Sequence, residues 1–227
     1  MHRNHLVTAE IDPLEPPLAS IVWLHGLGAP WDFVDFPPRL ALPDDLPVRF
    51  VFPQAPTIPV TLNNGWAMPA WYDVISLERG SQQDERGIRE NAARLELLLE
   101  REKKRGVPAH RIVLAGFSQG GALALFTGLR HHERLGGIIA LSSYGLLHES
   151  FPEEGSEACR TVPIFQAHGT RDPMVPIDAG RGTAEGLKAL GYQVTWGEYP
   201  VEHGLDPQEE IDIREWLVGV IAAMGGE

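Results

Sequence analysis

The chain has 227 residues, 43% of them hydrophobic, and a net charge of −12, which suits one large α/β domain over residues 1–227 with a substantial core. The acidic balance argues against nucleic acid and anionic membrane surfaces as partners. A single cysteine, Cys159, excludes a disulfide within the chain and fits a reducing, cytoplasmic setting.

The opening "MHRNHLVTAEIDPLEPP" lacks an apolar stretch and breaks early into prolines, so no signal peptide is expected, and no apolar run approaches membrane-spanning length. The first strand expected is "SIVWLH" (20–25), followed by the glycine loop His25-Gly26-Leu27-Gly28. A dinucleotide loop, G-x-G-x-x-G, fails here because Trp31 stands in the last glycine position. "VRFVFP" (48–53) is the next strand. Thr57 to Leu77 reads as a loop rich in turn residues, among them Pro59, Asn63, Asn64, Gly65 and Pro69, that carries Trp66 and Trp71 and can wall a cleft. From Asp84 to Arg105 the spacing predicts a helix with Ile88, Ala92, Leu95 and Leu99 on one face, closed by cations, Gly106 and Pro108.

Strand 111–116 and a buried helix through Ala122–Phe126 follow, then strand 137–142. The stretch before the next strand, 162–169, is too short for a cap domain. A helix from Asp178 to Leu190, with Asp178 suited to its N-cap and Gly191 closing it, leads to strand 192–200. The last helix begins with Asp206 as N-cap, Pro207 at N1 and Glu209 at N3; Ile213, Leu217, Val220 and Met224 form its apolar stripe and Gly225-Gly226 stops it. Strands alternating with helices imply an α/β fold with a mostly parallel, doubly wound sheet, helices on both faces and no large cap. In such sheets the chemistry lies at the carboxyl ends of the strands.

Gly116, Ser118 and Gly120 fit G-x-S-x-G, the nucleophile elbow, in which strand and helix pass so closely that only small residues fit. The bland alternative is a glycine-rich turn that contains a serine. A serine hydroxyl needs a base, and the base a group that orients it. Only His203, in "VEHGLD", follows every acid candidate in the right region; His2 and His5 lie in the tail, His110, His131, His132 and His148 read as solvated turn or helix-end residues, and His168 comes too early. Asp172, directly after strand 162–169, is the acid, with Pro173 stiffening its loop and Gly169 permitting the turn; Asp178 competes. Backbone N–H groups of Gln119 and Leu27 are placed to hold an oxyanion, and His25 shapes their loop. Met68, Trp71, Tyr144 and Met174 are candidates for the substrate pocket. No metal cluster and no phosphate loop is expected.

The pieces "LHGLG" (24–28), "PQAPTIPVTLNNGWAMPAWYD" (53–73), "GFSQGGALAL" (116–125), "HGTRDPMVP" (168–176) and Glu202-His203 run in one order over nearly the whole chain. In this the sequence resembles the phospholipase/carboxylesterase family of small α/β-hydrolases, which includes the acyl-protein thioesterases. The resemblance implies a serine carboxylesterase without cofactors, with Ser118, Asp172 and His203 as triad and Leu27 and Gln119 as oxyanion donors. Its substrates would be short- to medium-chain esters or thioesters, with acyl-protein thioesterase or lysophospholipase activity as the alternative and a noncatalytic binding module ranked below both. Expected partners are a small-molecule ester or thioester, with no nucleic acid and no stable membrane association; a homodimer is left open. The sequence departs from the family at Pro30 and Trp31, where an Asp-Gly turn is usual, and in 142–155, which lacks the proline often seen after the tyrosine-leucine there.

Overall fold

The computed structural model describes residues 5–76 and 80–224. Among them the elements run β1 (Thr8–Ile11), β2 (Ala19–Leu24), α1 (Phe36–Leu40), β3 (Val48–Pro53), β4 (Thr57–Val60), β5 (Trp66–Pro69), α2 (Glu85–Lys104), β6 (Ile112–Phe117), α3 (Gln119–Gly128), β7 (Gly137–Leu141), α4 (Phe151–Glu154), β8 (Ile164–Gly169), α5 (Ile177–Ala189), β9 (Val194–Tyr199) and α6 (Pro207–Met224). One sheet takes the order β1-β3-β2-β6-β7-β8-β9. β1 pairs antiparallel with β3, and the other neighbours are parallel. The winding reverses between β2 and β6, and the crevice of an open α/β sheet forms at such a point, outside the strand ends.

The central strands are unbroken apolar runs because helices cover both faces. Along β2, Val22 and Leu24 enter one core with Ile88 and Leu95 of α2, Leu123 of α3 and Leu187 of α5. Ile21 and Trp23 enter the opposite core with Phe36 and Leu40 of α1 and Ile213 and Leu217 of α6. Between β7 and β8 lie only α4 and a short 3-10 turn, so no large cap covers the crevice.

Several expectations change. The stretch 57–77 contains a β-hairpin where a loop was expected: β4 and β5 pair antiparallel, Thr57 opposite Pro69 and Val60 opposite Trp66. Its prolines are tolerated because a two-stranded sheet has open edges. Asn64 and Gly65, at φ 56° and 78°, make the turn. β1 is too short to declare itself and gains its conformation by pairing with β3. α5 starts one residue early, after Pro176, with no side-chain cap; Asp178 sits in its first turn and pairs with Arg181 at 2.8 Å. In α6 the buried place given to Val220 belongs to Ile221. His131 is buried rather than solvated, because the chain turns inward after α3 and its Nδ1 meets Glu96 Oε2 of α2 at 2.7 Å. His2, Leu77 and the stop at Gly225-Gly226 lie outside the described residues.

The start of α6 is built as expected. Asp206 Oδ1 accepts the N2 N–H of Gln208 at 2.8 Å, an N-cap bond, and Glu209 Oε2 reaches back to the Asp206 N–H at 3.3 Å, the return half of a capping box. Glu209 is fully buried and its Oε1 has no partner. Burial raises its pKa to about 8, opposed by the Asp206 N–H and reinforced by Asp206, Glu210 and Asp212. A folded-state pKa above the unfolded one means that the native state holds a proton the unfolded state has lost, so stability falls as pH rises from about 4.5 to about 8. The span corresponds to at most about 4–5 kcal/mol. Glu209→Gln keeps the acceptor for Asp206 and removes the titration; its gain in denaturant midpoint over wild type should grow through this window and level off above it. A constant gap between the two proteins would contradict the protonated state.

Candidate active site

The loop after β6 is an elbow in the geometric sense. Ser118 has φ 53°, a left-handed value that costs a non-glycine residue roughly 1–3 kcal/mol. The surrounding glycines are required by contact. A Cβ on Gly116 would lie 2.4 Å from Gly120 C, one on Gly120 would lie 2.4 Å from Leu24 O and 2.5 Å from His25 O, and one on Gly121 would lie 2.8 Å from Gly116 O. α3 therefore starts in direct contact with the end of β2, and Ser118 projects beside the loop that follows β2.

Two further strand ends meet Ser118. Gly169, ending β8, lies so close to the segment before His203 that a Cβ would stand 2.3 Å from Glu202 O. It serves this approach and not a turn, since its φ is not positive. Thr170 N–H to Tyr199 O and Arg171 N–H to Val201 O stitch the same pair of loops. The result is a continuous relay: His203 Nε2 is 3.0 Å from Ser118 Oγ and His203 Nδ1 is 2.6 Å from Asp172 Oδ2. A carboxylate only accepts, so Nδ1 carries the proton and Nε2 faces the serine with its lone pair. The Asp172 side chain is fully buried while that of His203 keeps 21% exposure. The other carboxylate oxygen, Oδ1, accepts the N–H groups of Met174 and Val175 at 2.8 and 2.9 Å. The competing acid, Asp178, is 83% exposed and engaged with Arg181.

Two neighbours of the relay carried no signal in the sequence. The Phe117 ring stands 4.8 Å from the His203 ring. His168, fully buried, meets Val175 O through Nε2 at 2.9 Å and lies 3.5 Å from Asp172 Oδ2. Burial lowers its pKa, so it braces the acid's loop as a neutral ring.

Gln119 is the first residue of α3, so its N–H has no intrahelical acceptor. Leu27 lies between Gly26 and Gly28 (φ 73°); the Gly28 N–H is bound to Pro69 O at 2.8 Å. His25 shapes this loop as expected: Nε2 accepts the Ala55 N–H at 3.0 Å and Nδ1 meets Gly26 O at 2.6 Å. Of the four pocket candidates, Met68 is half-buried, with Sδ 3.4 Å from where a Cβ on Gly28 would be. Tyr144 is half-buried, its hydroxyl 3.2 Å from that of Tyr72. Met174 is 52% exposed beside Asp172. Trp71 has no exposed surface and is set behind the loops, where it presents nothing to a substrate.

Away from the relay, Glu96, His131 and His132, and Glu100, His132 and Glu133, lie close enough together to share a cation. Lys103 already pairs with both Glu100 and Glu133, and Glu96 with His131, so these read as an ion-pair cluster on the outside of α2. Among the described residues no helix is long and apolar enough to cross a membrane.

The phospholipase/carboxylesterase family model matches residues 7–221. An acyl-protein thioesterase 1 of Emericella nidulans is 38% identical over 95% of this chain and 96% of its own. A protein of the same name from Cryptococcus neoformans is 35% identical over 92% and 95%. The crystal structure of Zea mays acyl-protein thioesterase 2 superimposes with a TM-score of 0.84 at 27% identity, covering 96% of this chain and all of that one.

The elbow contacts set up a matched pair of substitutions. Gly120→Ala drives a methyl into two backbone carbonyls and should abolish folding or lower Tm by more than 10 °C. Gly182→Ala, on α5 with open space around it, should raise stability by about 0.5–1 kcal/mol. Thermal melts of the two proteins decide; equal, small effects would contradict the close approach.

Proposed function

Because the chain belongs to the phospholipase/carboxylesterase family of α/β-hydrolases, we propose that it hydrolyses acyl esters and thioesters in two steps, with Ser118, His203 and Asp172 as its triad. The observation that carries this is the continuous Ser118–His203–Asp172 relay at 3.0 and 2.6 Å. Ser118 Oγ attacks the acyl carbon while His203 Nε2 takes its proton. Asp172, held by two backbone N–H groups, keeps Nδ1 protonated and balances the imidazolium. The Leu27 and Gln119 N–H groups hold the oxyanion until the C–O or C–S bond breaks, and the leaving group departs with the proton from His203. Water, deprotonated by His203, then attacks the acyl-enzyme and frees Ser118.

Two substrate readings share this chemistry. An uncapped crevice suits soluble short- to medium-chain monoesters. Thioesters on acylated proteins fit at least as well, because both relatives above are named acyl-protein thioesterase 1. Measuring kcat/KM on an acyl-chain series of esters beside an S-acylated peptide ranks them.

Ser118→Ala should lower kcat by about 10⁶-fold on both substrate types, by analogy with serine proteases, and His203→Ala by about as much, with the double variant little worse. Multiplying losses would count against a single relay. Asp172→Asn should be severe and Asp178→Asn mild; the reverse would move the acid to α5. With no large cap, the rate on one short-chain ester should pass its solubility limit without a jump, and a sharp rise there would contradict the open crevice.

A further inference from the structure

Leu27 sits on a loop flanked by two glycines, whereas Gln119 is fixed at a helix start. An oxyanion hole needs the two amides held at one spacing, so something must tie the loop to the helix. The segment 69–72 does this from behind. The Pro69 carbonyl accepts the Gly28 N–H. The Trp71 indole N–H donates to His25 O at 2.9 Å, the carbonyl two residues before Leu27 and one of the two against which Gly120 packs. The Trp71 backbone N–H donates to Gln119 Oε1 at 2.9 Å, and Gln119 Nε2 donates to Tyr72 O at 2.7 Å. Asn91 of α2 donates to Trp71 O and anchors the segment to the core. The Trp71 ring is fully buried, its centroid 5.2 Å from that of His25.

We propose that Trp71 is a positioning residue of the oxyanion hole, fixing the Leu27 and Gln119 amides relative to each other through its indole N–H to His25 O and its backbone N–H to the Gln119 side chain. The proposal rests on the assignment of those two amides as oxyanion donors. Trp71 itself touches neither substrate nor the relay. Both ring nitrogens of His25 are engaged, and burial lowers its pKa, so this network moves no proton and acts on geometry alone. A hole held this way favours the transition state more than the ground state, so loosening it lowers kcat and leaves KM nearly unchanged.

Trp71→Phe removes the indole N–H and keeps an aromatic ring. Its kcat on a soluble ester should fall about 10- to 100-fold, the range for a misplaced oxyanion donor. KM should stay within about threefold and the pH profile of kcat/KM unchanged. Affinity for a trifluoromethyl ketone, whose Ser118 adduct places an oxyanion in the hole, should drop in step with kcat/KM. Gln119→Met cuts the other arm while keeping the Gln119 N–H and should show the same pattern; it decides alone if Trp71→Phe does not fold. Because both act on one spacing, the double variant should lose less than the product of the two single losses. Leu99→Ala, a core truncation on α2, supplies a matched loss of stability and should keep kcat. If Trp71→Phe or its stand-in keeps kcat within about twofold, or loses no more than Leu99→Ala at equal loss of Tm, Trp71 is core and the proposal is overturned. If Ser118→Ala still turns over ester and wild type forms no adduct with the ketone, the triad assignment falls and takes this proposal with it.

Discussion

The contact on which the site depends is between backbone and backbone. α3 begins so close to the end of β2 that a methyl on Gly120 would overlap the carbonyls of Leu24 and His25. That approach aligns the elbow with the glycine loop and sets Ser118 in a left-handed conformation. The strain is offset by packing, since all ten residues of α3 are buried between strands and α2. A helix covered on every side can hold one strained residue at its start, because relaxing that residue would withdraw the whole helix from the core.

The same device recurs where β8 meets the loop after β9. Gly169 lets the two loops touch, and that contact brings Asp172 under His203. Burying a carboxylate is unfavourable unless its oxygens are satisfied. Here two backbone N–H groups hold Oδ1 and the imidazole N–H faces Oδ2, so the acid is fixed without a competing cation. Burial is graded outward, with Asp172 enclosed and His203 partly open toward the crevice. The Nε2 edge of His203 is thereby reachable while the carboxylate bound to its Nδ1 is shielded.

After the glycine loop the chain carries Pro30 and Trp31. Trp31 stands where an Asp-Gly turn is usual, yet its φ of 70° is a value glycine favours. The half-buried Trp31 side chain joins Phe33 and Phe117 at the edge of the α1 and α6 core, so the departure adds bulk near the relay on the side away from the β4–β5 hairpin.

What the sequence by itself determined is what local chemistry encodes: the β2, β3 and β6–β8 strands as mainly apolar, buried runs, the α6 cap in Asp206 and Glu209, and the glycines that only a close approach requires. The spacing Ser118, Asp172, His203 was legible for the same reason, since each follows a strand and parallel strands end on one edge of the sheet. The tertiary structure alone decided which large or polar side chains face the crevice and which the core. Trp71 is as apolar in the sequence as any pocket residue, and only the His25 carbonyl and the Gln119 side chain across from it turn it into a tether. His131 is buried against α2, distant in the chain, and His168 against the start of α5, which the sequence places nearby without showing which face packs on it. β1 and the β4–β5 hairpin exist through pairing partners, because four-residue strands carry too little pattern to specify themselves. Side-chain environment is a property of what packs opposite, and that is settled when the strands assemble.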